Sequence, residues 1–213
     1  EHLNEDFFRA TDIQALIEVV KYLGQKFSDN EIHLIGFSLG GNISLRISAS
    51  EEINFLKKTI VLSPVINPEN SMNAMDKNSW ILRKYFIDKW KKTIRRKIDL
   101  YNINAKEALK HKNIKSLTEY FTENFTPHSH VRDLFSAYAV TQETLNNINH
   151  DTFIYSAYDD PCVPIEPLLE LEETTNVEFN ALEYGGHCGF IDDFRFTSSV
   201  YHEISKKLES NTH

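Results

Sequence analysis

The run Ile32-His33-Leu34-Ile35-Gly36-Phe37 leads directly into Ser38-Leu39-Gly40-Gly41, and few folds accommodate that junction. The first six residues read as a buried strand: short, mostly apolar, and preceded by the breaker Ser28-Asp29-Asn30. A helical pattern follows from about Gly41 to Ser50. Gly36-Phe37-Ser38-Leu39-Gly40 therefore fits G-x-S-x-G at a strand–turn–helix corner, the setting of a nucleophile elbow. Small neighbours are needed where strand and helix nearly touch, and the serine must take a strained backbone. Its hydroxyl then projects above the sheet, and the Leu39 N–H can face a developing oxyanion. The competing reading is an ordinary glycine-containing loop between strand and helix.

Ser38 needs a base, because a serine hydroxyl is a weak nucleophile alone. His187, in Gly185-Gly186-His187-Cys188-Gly189-Phe190, follows an apparent last strand, and its glycines let the imidazole turn back to the sheet. His2, His33, His111, His128, His130, His150, His202 and His213 lack such a setting and read as surface or packing residues. The histidine in turn needs a carboxylate to hold its tautomer. Asp159-Asp160-Pro161-Cys162-Val163-Pro164 offers two adjacent acids directly after a strand. The order serine, acid, histidine holds with either one.

Other segments set the fold class. Ile13, Leu16, Ile17, Val20, Leu23 and Phe27 form an apolar stripe on a helix spanning 10–27. Further strands are expected at 59–63, 152–157 and 177–182, and helices at 165–173 and 193–209. Strand–helix alternation at this spacing implies α/β architecture with a mainly parallel sheet of about four strands. Residues 65–150 lack strand patterns and read as a helical cap insertion, with helical stretches at 104–112, 115–124, 129–139 and 141–148. Leu82, Phe86, Trp90, Ile94 and Ile98 lie four apart on one helix face there. The chain thus divides into 1–64, bearing the nucleophile, the cap at 65–150, and 151–213, bearing the acid and the histidine. The cap would act as a lid, and its aromatics suit an apolar acyl chain.

A net charge of −8 argues against a nucleic-acid surface, which needs cations to neutralise phosphates. Two cysteines, Cys162 and Cys188, make neither a disulfide framework nor a zinc pattern, and they point to free thiols in a reducing, cytoplasmic setting. No run approaches the roughly 20 apolar residues of a membrane span. Lys89–Lys97 is a basic stretch of an amphipathic helix. It could touch anionic lipid at a membrane surface, but a solvated outer face accounts for it more simply. Glu166, Glu170, Glu172 and Glu173 read as a solvated helix face.

Taken together, the sequence resembles the YheT-like family of α/β-hydrolases. His2-Leu3-Asn4, Gly36-Phe37-Ser38-Leu39-Gly40-Gly41, Ala157-Tyr158-Asp159-Asp160-Pro161 and Gly185-Gly186-His187-Cys188-Gly189-Phe190 carry the resemblance, with Ser116–Phe125 similar to a cap segment. The resemblance favours Asp160 over Asp159, since the family's acid lies four residues before a proline. It implies a serine hydrolase of carboxylic esters or lipids, with Ser38, Asp160 and His187 as the triad, Leu39 in the oxyanion hole, and no metal or organic cofactor. The same triad would serve an acyltransferase that uses an alcohol in place of water. The family's fold also has about four strands upstream of the first helix here, and a His-Gly loop giving a second oxyanion donor. Neither is found in this sequence. The strand at 32–37 is thus expected to be a free sheet edge, completed by an upstream segment or another chain. Alone, this chain is expected to be slow, or to be a non-catalytic remnant that binds partners.

Overall fold

The computed structural model describes residues 4–78 and 80–209. His2, Leu3 and His213, singled out above, lie outside them. Four strands make one sheet in the order β1 (Ile32–Phe37), β2 (Leu56–Leu62), β3 (Asp151–Ala157), β4 (Val177–Leu182). All three pairings are parallel, as strand–helix alternation predicts. The chain forms two compact units. One holds the residues up to Thr11 with Pro68–Tyr138, and the other Asp12–Asn67 with the described residues from Ala139 on.

In the sheet unit, alternate residues of the central strands serve opposite faces. Val61 and Ile154 pack with Leu45 of α2 (Leu39–Ser48) and with Leu145, Ile148 and Leu168. Ile60, Leu62, Tyr155 and Ala157 pack instead with Val200 and Ile204 of α9 (Ser199–Glu209) and with Phe190. Helix α1 (Gln14–Lys26) places Ile17 against Ile47, Ile53 and Leu56. Its stripe is only partly covered: Leu23 and Phe27 are exposed. The face of β1 aligned with Ile60 and Leu62 is also open, with Ile35 42% and Phe37 46% exposed. Beyond β1 no strand pairs among the described residues.

Several boundaries differ from expectation for physical reasons. β2 begins at Leu56, three residues earlier, because Lys58 is a buried strand residue. Its Nζ donates to the Lys207 carbonyl near the end of α9, which satisfies a helix-end acceptor. Helix α8 spans only Glu166–Leu169, so Glu170, Glu172 and Glu173 lie beyond it. Glu173 accepts the Phe179 N–H at 2.6 Å, so it ties down a strand and does not simply face solvent. Helix α9 begins at Ser199, whose N–H is taken by Asp192 at 2.5 Å, with a turn before it.

The other unit is helical: α3 (Pro68–Asn78), α4 (Trp80–Tyr101), a 3-10 turn (Lys106–Lys110), α5 (Ile114–Phe125) and α6 (Val131–Ser136). Ile87, Ile94, Leu117, Phe121 and Phe135 form its core, flanked by Phe86, Trp90 and Ile98. The basic stretch of α4 is not wholly a solvated face. Lys97 is buried, and its Nζ donates to the carbonyls of Asn4 and Asp6 and lies 5.2 Å from the Phe7 ring centre. Helix α7 (Gln142–Asn146) packs with the sheet through Leu145. No described helix is long and apolar enough to cross a membrane.

A buried polar chain closes one end of the sheet. His150 Nε2 lies 2.9 Å from Thr59 Oγ1, itself 2.7 Å from Ser48 Oγ, and His150 Nδ1 lies 3.2 Å from Asn149 Oδ1. Burial holds the His150 pKa below its ordinary value, opposed in part by Asp151. Half-buried His33 is shifted the same way for the same leading reason. On unfolding, both return to about 6.5. As pH falls, the unfolded chain therefore binds their protons first. Their contribution to stability is full above the unfolded value and is lost as pH falls through the lower folded values. Unfolding free energy from urea titrations should drop between pH 7 and 5, and His150→Gln should flatten that slope. An unchanged slope in the variant would contradict this.

Candidate active site

Ser38, Asp160 and His187 follow the carboxyl ends of β1, β3 and β4, so a parallel sheet delivers all three to the same side. Ser38 sits at φ 53, ψ −120, directly before α2. Such a backbone is costly for a residue with a Cβ and persists only when its surroundings enforce it. Here the Ser38 N–H donates to Leu62 O of the neighbouring strand at 3.0 Å. Its carbonyl accepts the N–H groups of Asn42 and Val65, each at 3.2 Å, and the Asn42 side chain donates to Val65 O at 2.8 Å. A Cβ on Gly36 would fall 2.4 Å from Ser44 Oγ and 2.6 Å from Gly40 O, so strand and helix could not otherwise close. Gly40 differs from expectation: a Cβ there would meet nothing within 4 Å. The helix opens at Leu39, two residues earlier than its pattern suggests, so the Leu39 N–H is one of the helix-start donors without an intrahelical acceptor.

The side chains form one hydrogen-bonded line. His187 Nε2 lies 3.0 Å from Ser38 Oγ, and His187 Nδ1 lies 2.9 Å from Asp160 Oδ2 and 3.1 Å from Oδ1. Asp160 is buried, and its Oδ1 also accepts the N–H groups of Cys162 (2.8 Å) and Val163 (2.9 Å). With the carboxylate accepting throughout, Nδ1 carries the imidazole proton. Nε2 is left to accept from the Ser38 hydroxyl. Of the two adjacent acids, Asp160 reaches the ring, whereas Asp159 Oδ1 accepts the N–H groups of Gly185 and Gly186, each at 2.8 Å.

Sequence reasoning did not single out two supports of the histidine loop. Ser63 Oγ accepts the Cys188 N–H at 3.3 Å, and the Tyr201 hydroxyl donates to Cys188 O at 2.8 Å. Ser63 itself has φ 45, directly after β2 and level with the elbow. Its place between a strand and Pro64 is the signal that could have marked it.

Among the described residues, Asp160, Cys162 and His187 form a group whose potential metal-ligand atoms lie within 4.8 Å of one another. The acid and the ring are already hydrogen-bonded to each other, and the thiol holds its proton strongly. Burial, then the charges of Asp160 and Cys188, push Cys162 up to about 11. Burial also raises Cys188, whose thiol donates to Leu62 O at 3.5 Å. Both cysteines are free. Because the thiolate is the reactive form, an aryl disulfide reagent at pH 8 should modify both far more slowly than free cysteine. In denaturant both should react at once. Rapid titration of two thiols in the native chain would contradict this environment.

Comparison with known proteins agrees with this architecture. The sequence profile of the alpha/beta hydrolase fold family matches residues 5–194. Among curated proteins, the chain is 25% identical over 179 residues to the putative esterase YheT of Escherichia coli (strain K12), covering 81% of this chain and 52% of that protein. It is 23% identical over 196 residues to abhydrolase domain-containing protein 2 of Drosophila melanogaster, covering 82% and 48%. The chain thus spans about half the length of these curated relatives. Among solved structures, the serine hydrolase CCSP0084 of Cycloclasticus zankles superposes with TM-score 0.59 at 16% identity, over 98% of this chain and 74% of that one. The Pyrococcus furiosus esterase PF2001 gives 0.55 at 17%, over 93% and 61%. With a parallel sheet, a strained serine elbow and a profile match over most of its length, this chain belongs to the alpha/beta hydrolase fold family and is YheT-like.

Proposed function

We propose that this chain carries the catalytic apparatus of a serine hydrolase acting on carboxylic esters, with a small-molecule ester or lipid as substrate. The observation that carries the reading is the continuous line from Ser38 Oγ through His187 to Asp160, at 3.0 and 2.9 Å. Ser38 Oγ attacks the ester carbonyl while His187 Nε2 takes its proton. Asp160 steadies the imidazolium, and the Leu39 N–H donates to the oxyanion. His187 returns the proton to the leaving alcohol, and the carbonyl–oxygen bond breaks to leave an acyl-Ser38. Water, deprotonated by His187, attacks that acyl group and releases the acid. The names of the bacterial putative esterase and of the archaeal esterase support an ester as substrate. The test is p-nitrophenyl ester hydrolysis with product analysis in the presence of an added alcohol. Free acid as the acyl product supports hydrolysis. A new ester would move the assignment to acyl transfer, and no Ser38-dependent nitrophenol would overturn the reading.

The same reading includes completion of the sheet at β1 by a strand from outside these residues, an upstream segment or another chain. The unpaired edge and the exposed Ile35 and Phe37 support it. An apolar free edge invites self-association. The isolated chain should therefore form concentration-dependent oligomers, and the double variant Ile35→Lys/Phe37→Lys should be monomeric by sedimentation. Equal association of both would count against a free edge at β1.

A further inference from the structure

We infer that Asp159, the acid that does not touch His187, is a positioning residue that holds the histidine loop in its working shape through the backbone. The inference rests on the assignment of Ser38, Asp160 and His187 above. The loop after β4 is an improbable backbone. Gly186, Cys188 and Phe190 have φ of 55, 62 and 46, three left-handed residues among five. Two of them carry side chains, and such a conformation survives only if the surroundings over-determine it. Each end of the loop has its own tie. Phe190 N–H returns to Gly185 O at 2.7 Å, and Cys188 is held by Ser63 and Tyr201. The entry, immediately before His187, is held by Asp159, whose Oδ1 takes the Gly185 and Gly186 N–H groups.

One carboxylate oxygen takes both N–H groups at 2.8 Å, a geometry suited to two successive amides that converge on one anion. The arrangement follows from topology. β3 and β4 are adjacent and parallel, with Ala157 paired to Leu182, and the Tyr158 N–H extends the ladder to Leu182 O at 2.9 Å. Asp159 and Asp160 thus leave β3 beside the chain that leaves β4. The turn closed by Asp160 N–H on Ala157 O then directs them to different targets. Asp160 is buried and meets the ring, whereas Asp159 is exposed and meets the main chain two residues and one residue before it. The adjacent acids therefore act together: one orients the imidazole by its nitrogen, the other by the backbone that carries it.

The experiment compares the parent chain with Asp159→Ala, Asp159→Asn and His187→Ala. A fluorophosphonate ester is the probe, with its limiting rate of Ser38 modification and its apparent binding constant measured separately. Hydrogen exchange at Gly185 and Gly186 and the unfolding midpoint are followed in parallel. Asp159→Ala should lower the limiting rate about 10–100-fold, the scale of an ångström-sized misplacement of a catalytic group, with the binding constant within about twofold. Exchange should accelerate at Gly185 and Gly186 and stay unchanged in β2 and β3, with the unfolding midpoint nearly constant. Asp159→Asn keeps the accepting oxygen and should restore most of the rate. Parent-like labelling and exchange in Asp159→Ala, or no recovery in Asp159→Asn, would overturn the inference. Parent-like labelling in His187→Ala would instead overturn the triad assignment on which it rests.

Discussion

Ser38→Ala is expected to abolish ester turnover and fluorophosphonate labelling, with a fall of roughly 10⁴–10⁶-fold in rate against any background. His187→Ala should do nearly as much, since removing the base leaves the hydroxyl un-ionised and the leaving group unprotonated. The two losses should not add. A double variant should be about as impaired as Ser38→Ala alone, because both residues serve one proton transfer. The substitutions should leave the fold in place. Ser38 is held through its main chain, by bonds to Leu62, Asn42 and Val65, and these do not involve the hydroxyl. Alanine must still adopt a backbone of φ 53, so a modest loss of stability is expected while the helix and sheet signals stay the same. Steady-state kinetics with circular dichroism checks both halves of this expectation.

Asp160→Asn is expected to cost about 10⁴-fold in turnover, more than its near-identical shape suggests. The reason lies in which oxygen is already committed. Oδ1 accepts the N–H groups of Cys162 and Val163, so the asparagine must keep its carbonyl oxygen there. The amide nitrogen then occupies the Oδ2 position, 2.9 Å from His187 Nδ1. A donor at that place requires Nδ1 to accept, which moves the ring proton to Nε2. Nε2 then points an N–H at the Ser38 hydroxyl and cannot take its proton. The variant should keep its fold and its affinity for substrate while losing the limiting rate. Turnover of Asp160→Asn within tenfold of the parent, with the crystal or solution geometry retained, would show that the ring's tautomer is not set by this acid.

The legible parts of the molecule were those where one local pattern had one structural solution. The strand at 32–37 and the glycine-bounded serine that follows it could be read because the apolar run, turn residues and spacing agreed, although the strand is less buried than expected, with Ile35 and Phe37 exposed. The same held for the parallel order of the strands. Ser38 and His187, 149 positions apart, come together with Asp160 because each follows a strand of one parallel sheet. What could not be read depended on long-range partners. Lys58 looks like a polar interruption before a strand, yet it is buried because a carbonyl of α9 receives its ammonium. Lys97 looks like part of a solvated basic face, yet two carbonyls near the chain start draw it inward. The spacing to Pro164 favours Asp160 over Asp159 as the partner of the ring, but what Asp159 does instead emerges only once the loop after β4 lies beside it. The late start of α9 reflects Asp192, whose carboxylate captures the Ser199 amide, and helical periodicity does not encode such a capture.

Peptide mapping by mass spectrometry after treatment with a fluorophosphonate tests the central claim most directly. In that reaction Ser38 Oγ attacks phosphorus, fluoride departs, and His187 accepts the hydroxyl proton. The account predicts one adduct, on the peptide that contains Ser38, lost on prior unfolding and absent from His187→Ala. An adduct on Ser63 or another serine, or a folded chain that takes up no probe at all, would contradict it.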